Sequence, residues 1–99
     1  MLLAFSVAPT TADEDGSVAA AVAAAVAIVK ESGLPWELTS MFTTIEGEWD
    51  EVMAVVKEAV DAVAAVSPRV SLVLKADIRA GHTGQLTAKV QRLENELEN

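Results

Sequence analysis

WELTSMFTTIEGEWDEV, residues 36–52, is the most informative segment for the fold because its pattern predicts a short hairpin that runs directly into a helix. Trp36, Leu38 and Ile45 alternate with Glu and Thr, which is the period of a strand with one apolar and one polar face. We predict strands over 36–39 and 43–47, joined by a Ser-Met-Phe corner. Gly47 ends the second strand, and the helix that follows begins with acidic residues in its first turn, as the helix dipole favours.

On either side of the hairpin, apolar periodicity and the Gly and Pro breaks predict the remaining elements. In chain order they are a strand over 2–8, a loop over 9–16, a helix over 18–32 with Ser17 as its N-cap, the two hairpin strands, a helix over 48–66, a strand over 69–79 and a helix over 85–99. The order β-α-β-β-α-β predicts a ferredoxin-like α+β sandwich, a four-stranded antiparallel sheet with two helices on one face, plus a C-terminal helix. At 99 residues we expect a single domain, residues 1–99.

Three apolar stripes indicate how the helices pack. The first helix presents Val18, Val22, Val26 and Val29, and the second presents Trp49, Val52, Met53, Val56, Val60 and Val63. The C-terminal helix has a heptad-like seam of Leu86, Val90, Leu93 and Leu97. That seam is compatible with packing on its own domain and with oligomerisation, so both alternatives stay open.

Composition excludes several classes of function. The formal net charge of −8 disfavours nucleic acid and anionic membranes as partners. The chain has no cysteine and a single histidine, His82, so we expect no disulfide, no thiolate catalysis and no metal site. The N-terminal apolar run has no basic flank and is too short for a signal peptide, and the Ala/Val run over 18–29 is too short to span a bilayer. A cytoplasmic protein is therefore expected.

The sheet face away from the two helices is unusually polar. Alternation places on it Ala4, Ser6, Glu37, Thr39, Thr44, Glu46, Ser71, Val73, Lys75 and Asp77. One interpretation is a solvated sheet face, which antiparallel sheets often have. The other is a ligand-binding face, because many of its side chains are short hydroxyls and because the pattern places Lys75 among carboxylates, which predicts a paired network.

Three stretches resemble the thiamine-binding protein family of small ferredoxin-like proteins. They are FSVAP at 5–9, SGLPWELTSMFTTIEGEWDEVM at 32–53 and RVSLVLKADIR at 69–79. The resemblance runs from Leu2 to about Leu93 and implies a homo-oligomer, usually a dimer of dimers with packed sheets. It also implies a site for thiamine or its hydroxymethylpyrimidine part, a cationic heterocycle held without catalysis and without a further cofactor.

Thiamine chemistry then assigns roles to particular side chains. Its exocyclic amine needs acceptors, its ring nitrogens need donors, and its rings need an aromatic or thioether wall. The predicted ligand-binding residues are Ser6, Glu37, Thr39, Met41, Thr43, Glu46, Lys75 and Asp77. In this prediction the three carboxylates accept, the hydroxyls donate and accept, Met41 forms part of the wall, and Lys75 orients a carboxylate or meets a phosphate.

Three functions are compatible with these features. The first is a carrier, buffer or sensor of thiamine or its pyrimidine precursor. The second is a structural or regulatory homo-oligomer without a small-molecule ligand. The third, an enzyme that uses a carboxylate and Lys75 as an acid–base pair, has the weakest support, because no spacing marks a nucleophile, a phosphate loop or a metal cluster.

Overall fold

A computed structural model of the chain describes residues 1–10 and 18–98. Its elements in chain order are β1 (Leu2–Pro9), α1 (Ala19–Glu31), β2 (Trp36–Leu38), β3 (Thr43–Glu46), α2 (Trp49–Ala64), β4 (Val70–Asp77) and α3 (Gln85–Glu98). The four strands form one antiparallel sheet in the order β2-β3-β1-β4. The predicted ferredoxin-like architecture is confirmed, with ends that differ by one or two residues. The predicted N-cap, Ser17, lies outside the described residues.

The strand register divides the sheet into two faces. Leu3 lies opposite Ile45 and Ala76, and Phe5 lies opposite Thr43 and Leu74, so these residues share the face that the helices cover, here called the helix face. The reverse, here called the open face, carries the even-numbered residues of β1 and their partners. The core lies between the helix face and the helices and comprises Leu3, Phe5, Val7, Ala25, Val29, Ile45, Val52, Val56, Ala59 and Val63.

Helix α1 packs through smaller residues than its valine stripe predicts. Its buried residues are Ala25 and Val29, whereas Val22 and Val26 are only half-buried. Alanine has no side chain beyond Cβ, so it lets the helix approach the sheet closely, and the flanking valines turn toward a cavity described below. The helix ends at Glu31, and the C-cap residue Ser32 donates a 2.6 Å hydrogen bond from its hydroxyl to the carbonyl of Val29, ahead of Gly33 at φ +79°.

Helix α2 confirms most of its predicted stripe, with one exception. Val52, Val56, Ala59 and Val63 are buried, but Trp49 is 55% exposed, so its predicted place in the apolar stripe is wrong. Trp49 is the first residue of the helix, where the chain has only just left β3, and its side chain lies beyond the edge of the core. The first turn is held by Glu51, whose side chain accepts 3.1 Å from the N–H of Glu48.

The C-terminal helix α3 crosses one end of the open face. It contacts β3, and Lys89 pairs with Asp77 of β4. The C-terminal helix therefore covers this end of the open face. None of the residues of α3 is buried, and its seam becomes more exposed along the helix, from half-buried Leu86 to Leu97 at 86%.

Strand β4 is an edge strand with exposed apolar side chains. It pairs with β1 and with no other described strand, although it is eight residues long. Leu72, Val73 and Leu74 are 39%, 56% and 41% exposed, respectively. Within residues 1–10 and 18–98, no helix is long and apolar enough to cross a bilayer.

Candidate functional site

A cavity of about 250 Å³ opens between α1 and the turn of the β2–β3 hairpin, on the helix side of the sheet. We call it the hairpin cavity. The described residues that line it are Phe5, Ser6, Val7, Ala8, Val18, Val22, Ala25, Val26, Leu38, Thr39, Ser40, Met41, Phe42 and Thr43. The walls are mainly aliphatic and aromatic, which is the usual character of a small-molecule site.

The hairpin cavity arises because β3 is shorter than β1. Strand β3 begins at Thr43, opposite Phe5, so β1 continues beyond it as far as Pro9. From Val7 onward, no described strand occupies the side of β1 on which β3 would continue. The turn over residues 39–42 and the valines of α1 surround the gap that is left.

Backbone alternation directs the peptide groups of Val7 into this gap. The N–H of Gly47 donates a 3.1 Å hydrogen bond to the carbonyl of Met1, and the N–H of Thr10 donates a 3.2 Å hydrogen bond to the carbonyl of Arg69. In an antiparallel ladder, the N–H and C=O groups of alternate residues point to opposite neighbours. Odd-numbered residues of β1 therefore face β3, and even-numbered residues face β4. Val7 is odd-numbered and has no partner on β3, so its N–H and C=O are presented to the hairpin cavity.

Thr43 adds a hydroxyl to the same cavity. Thr43 is only 6% exposed, and it lies opposite Phe5 in the strand register, on the helix face. Its hydroxyl forms no hydrogen bond with another described residue. Among the described residues, every side-chain polar atom that is fully shielded from solvent has a hydrogen-bond partner. The Thr43 hydroxyl must therefore reach open space, and the cavity that it lines is that space.

Thr39 and Met41 occupy the turn at the mouth of the cavity. The Thr39 hydroxyl donates a 3.0 Å hydrogen bond to the carbonyl of Phe42 and accepts a 3.2 Å hydrogen bond from the N–H of Phe42. These two bonds close the turn. Strand β2 ends at Leu38, so the predicted place of Thr39 on the open face is wrong. Met41 is 73% exposed and forms part of the rim.

The open face does not hold the paired network predicted around Lys75. Glu37, Thr44, Ala4 and Lys75 form one row across the sheet in that order. Three strand spacings separate the two ends of the row, about 14 Å, which is far beyond ion-pair distance. Lys75 is exposed and forms no ion pair with a described residue, because the carboxylates near it are committed elsewhere.

Glu46 and Asp77 both face α3. The Glu46 carboxylate accepts a hydrogen bond of 2.9 Å from the N–H of Gln85 and one of 3.2 Å from the N–H of Leu86. The Asp77 carboxylate accepts from Lys89 at 2.5 Å. That hydrogen bond, with the charge of Lys89 and smaller contributions from Arg79 and Lys75, lowers the pKa of Asp77 below its ordinary value of 3.8.

The predicted site residues are therefore divided between places. Thr39, Met41 and Thr43 line the hairpin cavity, and Ser6 contributes to its β1 wall although its side chain belongs to the open face. Glu37 and Lys75 stand apart on the open face, while Glu46 and Asp77 lie beneath α3. Among the described residues, no group of three His, Cys, Asp or Glu residues is placed to hold a metal ion.

Sequence reasoning missed Val7, Val22 and Val26 as members of a site. Valines at helical and strand spacing ordinarily indicate core, and nothing in their identity marks a cavity. One signal was available, since the first strand is clearly longer than either strand of the hairpin. A long strand beside a short one must leave part of its edge without a partner.

The chain is similar to curated proteins over nearly its whole length. A UPF0045 protein of Mycobacterium bovis is 50% identical over 98 residues, which cover 98% of this chain and 94% of the relative. A UPF0045 protein of Synechocystis is 37% identical over 84 residues, which cover 84% of this chain and 69% of the relative.

Solved structures agree with the fold and point to the same family. A hypothetical protein from Methanocaldococcus jannascii superposes with a TM-score of 0.84 at 28% identity, with 94% of both chains covered. A Thermotoga maritima protein described as a candidate thiamine biosynthesis or salvage protein gives 0.78 at 29% identity, with 93% of this chain and 96% of that chain covered. The family model for thiamine-binding proteins matches residues 3–94. The chain therefore belongs to the thiamine-binding protein family.

Proposed function

We propose that this protein binds the hydroxymethylpyrimidine part of thiamine, free or within thiamine, in the hairpin cavity. The observation that carries the proposal is the unpaired edge of β1 at Val7. The backbone N–H and C=O of this one residue offer a donor and an acceptor side by side in a largely apolar cavity. An aminopyrimidine has an amine donor beside a ring-nitrogen acceptor. It can therefore pair with such a peptide edge as a neighbouring strand would.

Size and charge favour the pyrimidine ring over the thiazolium ring as the occupant. The cavity volume of about 250 Å³ lies at the small end for ligand sites and suits one ring better than two. No Asp or Glu is among the described lining residues, so none of them offers a counter-ion to the thiazolium charge. In bound thiamine, the thiazolium ring would lie at the rim near Met41, where a thioether and solvent surround it.

The role that fits this site is capture without chemistry. General acid–base catalysis needs a titratable side chain at the reacting atoms. The described lining residues supply backbone groups and hydroxyls, and none is Asp, Glu, His, Lys or Cys. We therefore propose a carrier, buffer or sensor and not an enzyme.

Assembly into a homo-oligomer belongs to the same proposal. Alternation along β4 directs the N–H and C=O groups of Leu72, Leu74 and Ala76 away from β1, and the side chains of Leu72 and Leu74 are exposed. Long exposed edge strands invite pairing with another chain. The outer half of α3 adds Val90, Leu93 and Leu97, so a second copy has both an edge and an apolar surface to cover.

Calorimetry with a small panel of ligands tests the proposal. Hydroxymethylpyrimidine and thiamine should each bind once per chain and compete with each other, because both would place the same ring in one cavity. Hydroxyethylthiazole, the other half of thiamine, serves as the matched control and should give no saturable heat. Binding of the thiazole but not of the pyrimidine would contradict the proposal. If no member of the panel binds, the exposed β4 edge would favour the structural oligomer.

A further inference from the structure

The chain is acidic overall, but its basic residues are concentrated in one segment. Four of the seven Lys and Arg residues fall within residues 75–92, a segment that also contains His82 and has Asp77 as its only acidic residue. The fold gathers most of the basic residues of this segment around a groove between α3 and the sheet, here called the α3 groove. Its described lining is Met1, Leu2, Glu46, Asp77, Arg79, His82, Gln85, Lys89 and Arg92.

The two carboxylates of the α3 groove are already compensated. The Glu46 carboxylate accepts hydrogen bonds from two backbone N–H groups at the positive end of the α3 dipole, and the Asp77 carboxylate accepts a hydrogen bond from Lys89. Neither carboxylate is hydrogen-bonded to an arginine among the described residues.

Neither arginine of the groove is paired with a described carboxylate, and the charge of Arg79 makes only a small contribution to the lowered pKa of Asp77. Arg79 forms no side-chain hydrogen bond or ion pair with the described chain. Arg92 donates 2.9 Å to the amide oxygen of Gln85, which is neutral, and the amide nitrogen of Gln85 donates 3.0 Å to the carbonyl of Thr83. This relay fixes Arg92 at the groove without neutralising it, and the free edges of a guanidinium match oxyanions in a bidentate manner.

We propose that the α3 groove binds a small oxyanion of the phosphate class, held chiefly by Arg79 and Arg92. The groove measures about 140 Å³, well below the size of a site for a two-ring molecule. It lies at the Leu2 end of β1 on the open face, whereas the hairpin cavity lies at the Ala8 end on the helix side. Six residues of strand separate the two ends, about 20 Å. The oxyanion site is therefore independent of the proposed pyrimidine site.

Free phosphate and a phosphate carried by an aromatic molecule would share this chemistry. The loop over residues 78–83 separates the α3 groove from a second recess of about 300 Å³, in which Arg79 and His82 are joined by Trp49 and Ile78. An aryl phosphate could place its phosphate in the groove and its ring against exposed Trp49. Inorganic phosphate would use the groove alone.

Titration of the full chain with inorganic phosphate tests the proposal. We expect saturable binding that weakens with added chloride, because exposed ion pairs are screened by salt. Arg79→Gln and Arg92→Gln should each weaken binding about tenfold, since each removes one charge-assisted contact. Arg69→Gln is the matched control, because Arg69 is also exposed but precedes β4 at the opposite end of the strand, and its binding should equal that of the unaltered chain.

Further arms separate the sources and the two proposals. Tighter binding of phenyl phosphate with quenching of Trp49 fluorescence, recorded in a Trp36→Phe background, would support an aromatic phosphate, and equal binding of both would support free phosphate. The absence of saturable phosphate binding, or unchanged affinity in the Arg79→Gln/Arg92→Gln double variant, would overturn the proposal. Thr43→Val should leave phosphate binding unchanged, so failure at the hairpin cavity and failure at the α3 groove are distinguishable.

Discussion

The carboxylate of Glu46, at the end of β3, accepts a 2.9 Å hydrogen bond from the backbone N–H of Gln85, the first residue of α3. The second carboxylate oxygen accepts from the N–H of Leu86 at 3.2 Å. The first N–H groups of a helix have no partner within the helix. Here a strand residue 39 positions earlier supplies the cap that is usually provided by the residue before the helix, and this contact docks α3 on the sheet.

Replacement of Glu46 by Gln should therefore loosen α3. The amide keeps one acceptor and turns an N–H₂ group toward the second backbone donor, in a side chain that is almost fully buried. We expect a loss of about 1–3 kcal/mol in the free energy of unfolding, together with faster amide exchange at Leu86. Urea denaturation and hydrogen exchange measure both quantities.

Glu37→Gln is the matched control, because Glu37 lies on the same open face, is exposed and has no hydrogen-bonding partner among the described residues. It should leave stability unchanged. Equal stability of Glu46→Gln and Glu37→Gln would contradict the capping role of Glu46.

The pair of Asp77 and Lys89 should contribute to stability in a defined range of pH. Because Lys89 lowers the pKa of Asp77 below 3.8, the folded state favours the ionised carboxylate. The contribution is then fully present above the ordinary pKa and is lost as the pH falls through the lowered one. Carbon-detected titration of Asp77 should show its pKa rising toward 3.8 in Lys89→Gln.

Lys57→Gln removes the other described ion pair, Lys57–Asp61 on α2, and should leave the titration of Asp77 as it is. A titration of Asp77 that is the same with and without Lys89 would show that the pair does not persist in solution.

The Thr43 hydroxyl should matter for ligand binding and not for folding. It has no described hydrogen-bond partner to lose, so Thr43→Val preserves the shape of the core and should not lower the thermal midpoint. If the hydroxyl contacts the pyrimidine, the variant should bind hydroxymethylpyrimidine about tenfold more weakly.

Thr44→Val is the matched control for this substitution, because the neighbouring side chain faces the opposite side of the sheet, beside Ala4 and Glu37. It should retain full affinity. Weaker binding in Thr44→Val than in Thr43→Val would move the site to the open face.

Edge pairing of β4 should depend on its outward backbone groups. Leu74→Pro removes an N–H that points away from β1, and proline is tolerated at such positions of an edge strand. We expect a folded chain by circular dichroism with a smaller mass by light scattering.

Leu38→Pro on β2, the opposite edge of the sheet, is the control and should keep the mass of the unaltered protein. An unaltered protein that is monomeric, or a Leu74→Pro variant of undiminished mass, would rule out assembly through β4.

The sequence was sufficient for the fold and, apart from Thr39, for the faces of its strands. The predicted alternation of buried and outward-facing residues is confirmed at Leu3, Phe5 and Val7 and at Ile45. A two-residue period allows only two ways to assign side chains to the faces of the sheet, and the hydrophobic core selects one of them. The position of Trp49 was not predictable in the same way, since a helical stripe does not show where the core ends.

The candidate site was predicted only in part because its essential contacts are long-range. The commitment of Glu46 to Gln85 depends on how α3 returns to the sheet, and no local pattern encodes that path. The groups presented by Val7 belong to the backbone and are invisible to any search for functional side chains. The hydroxyl of Thr43 makes it a candidate ligand-binding residue from sequence, but the orientation of its side chain follows from its pairing with Phe5.

Backbone amide spectra of the protein with and without hydroxymethylpyrimidine are the sharpest test of binding at the free edge of β1. If the pyrimidine pairs with the free edge of β1, the Val7 amide should shift downfield and exchange more slowly with solvent on binding, and the amides of residues 39–43 should shift with it. Binding that leaves the Val7 amide unchanged and instead shifts the amides of Glu37, Thr44 and Lys75 would place the ligand on the open face and rule out the hairpin cavity as the site.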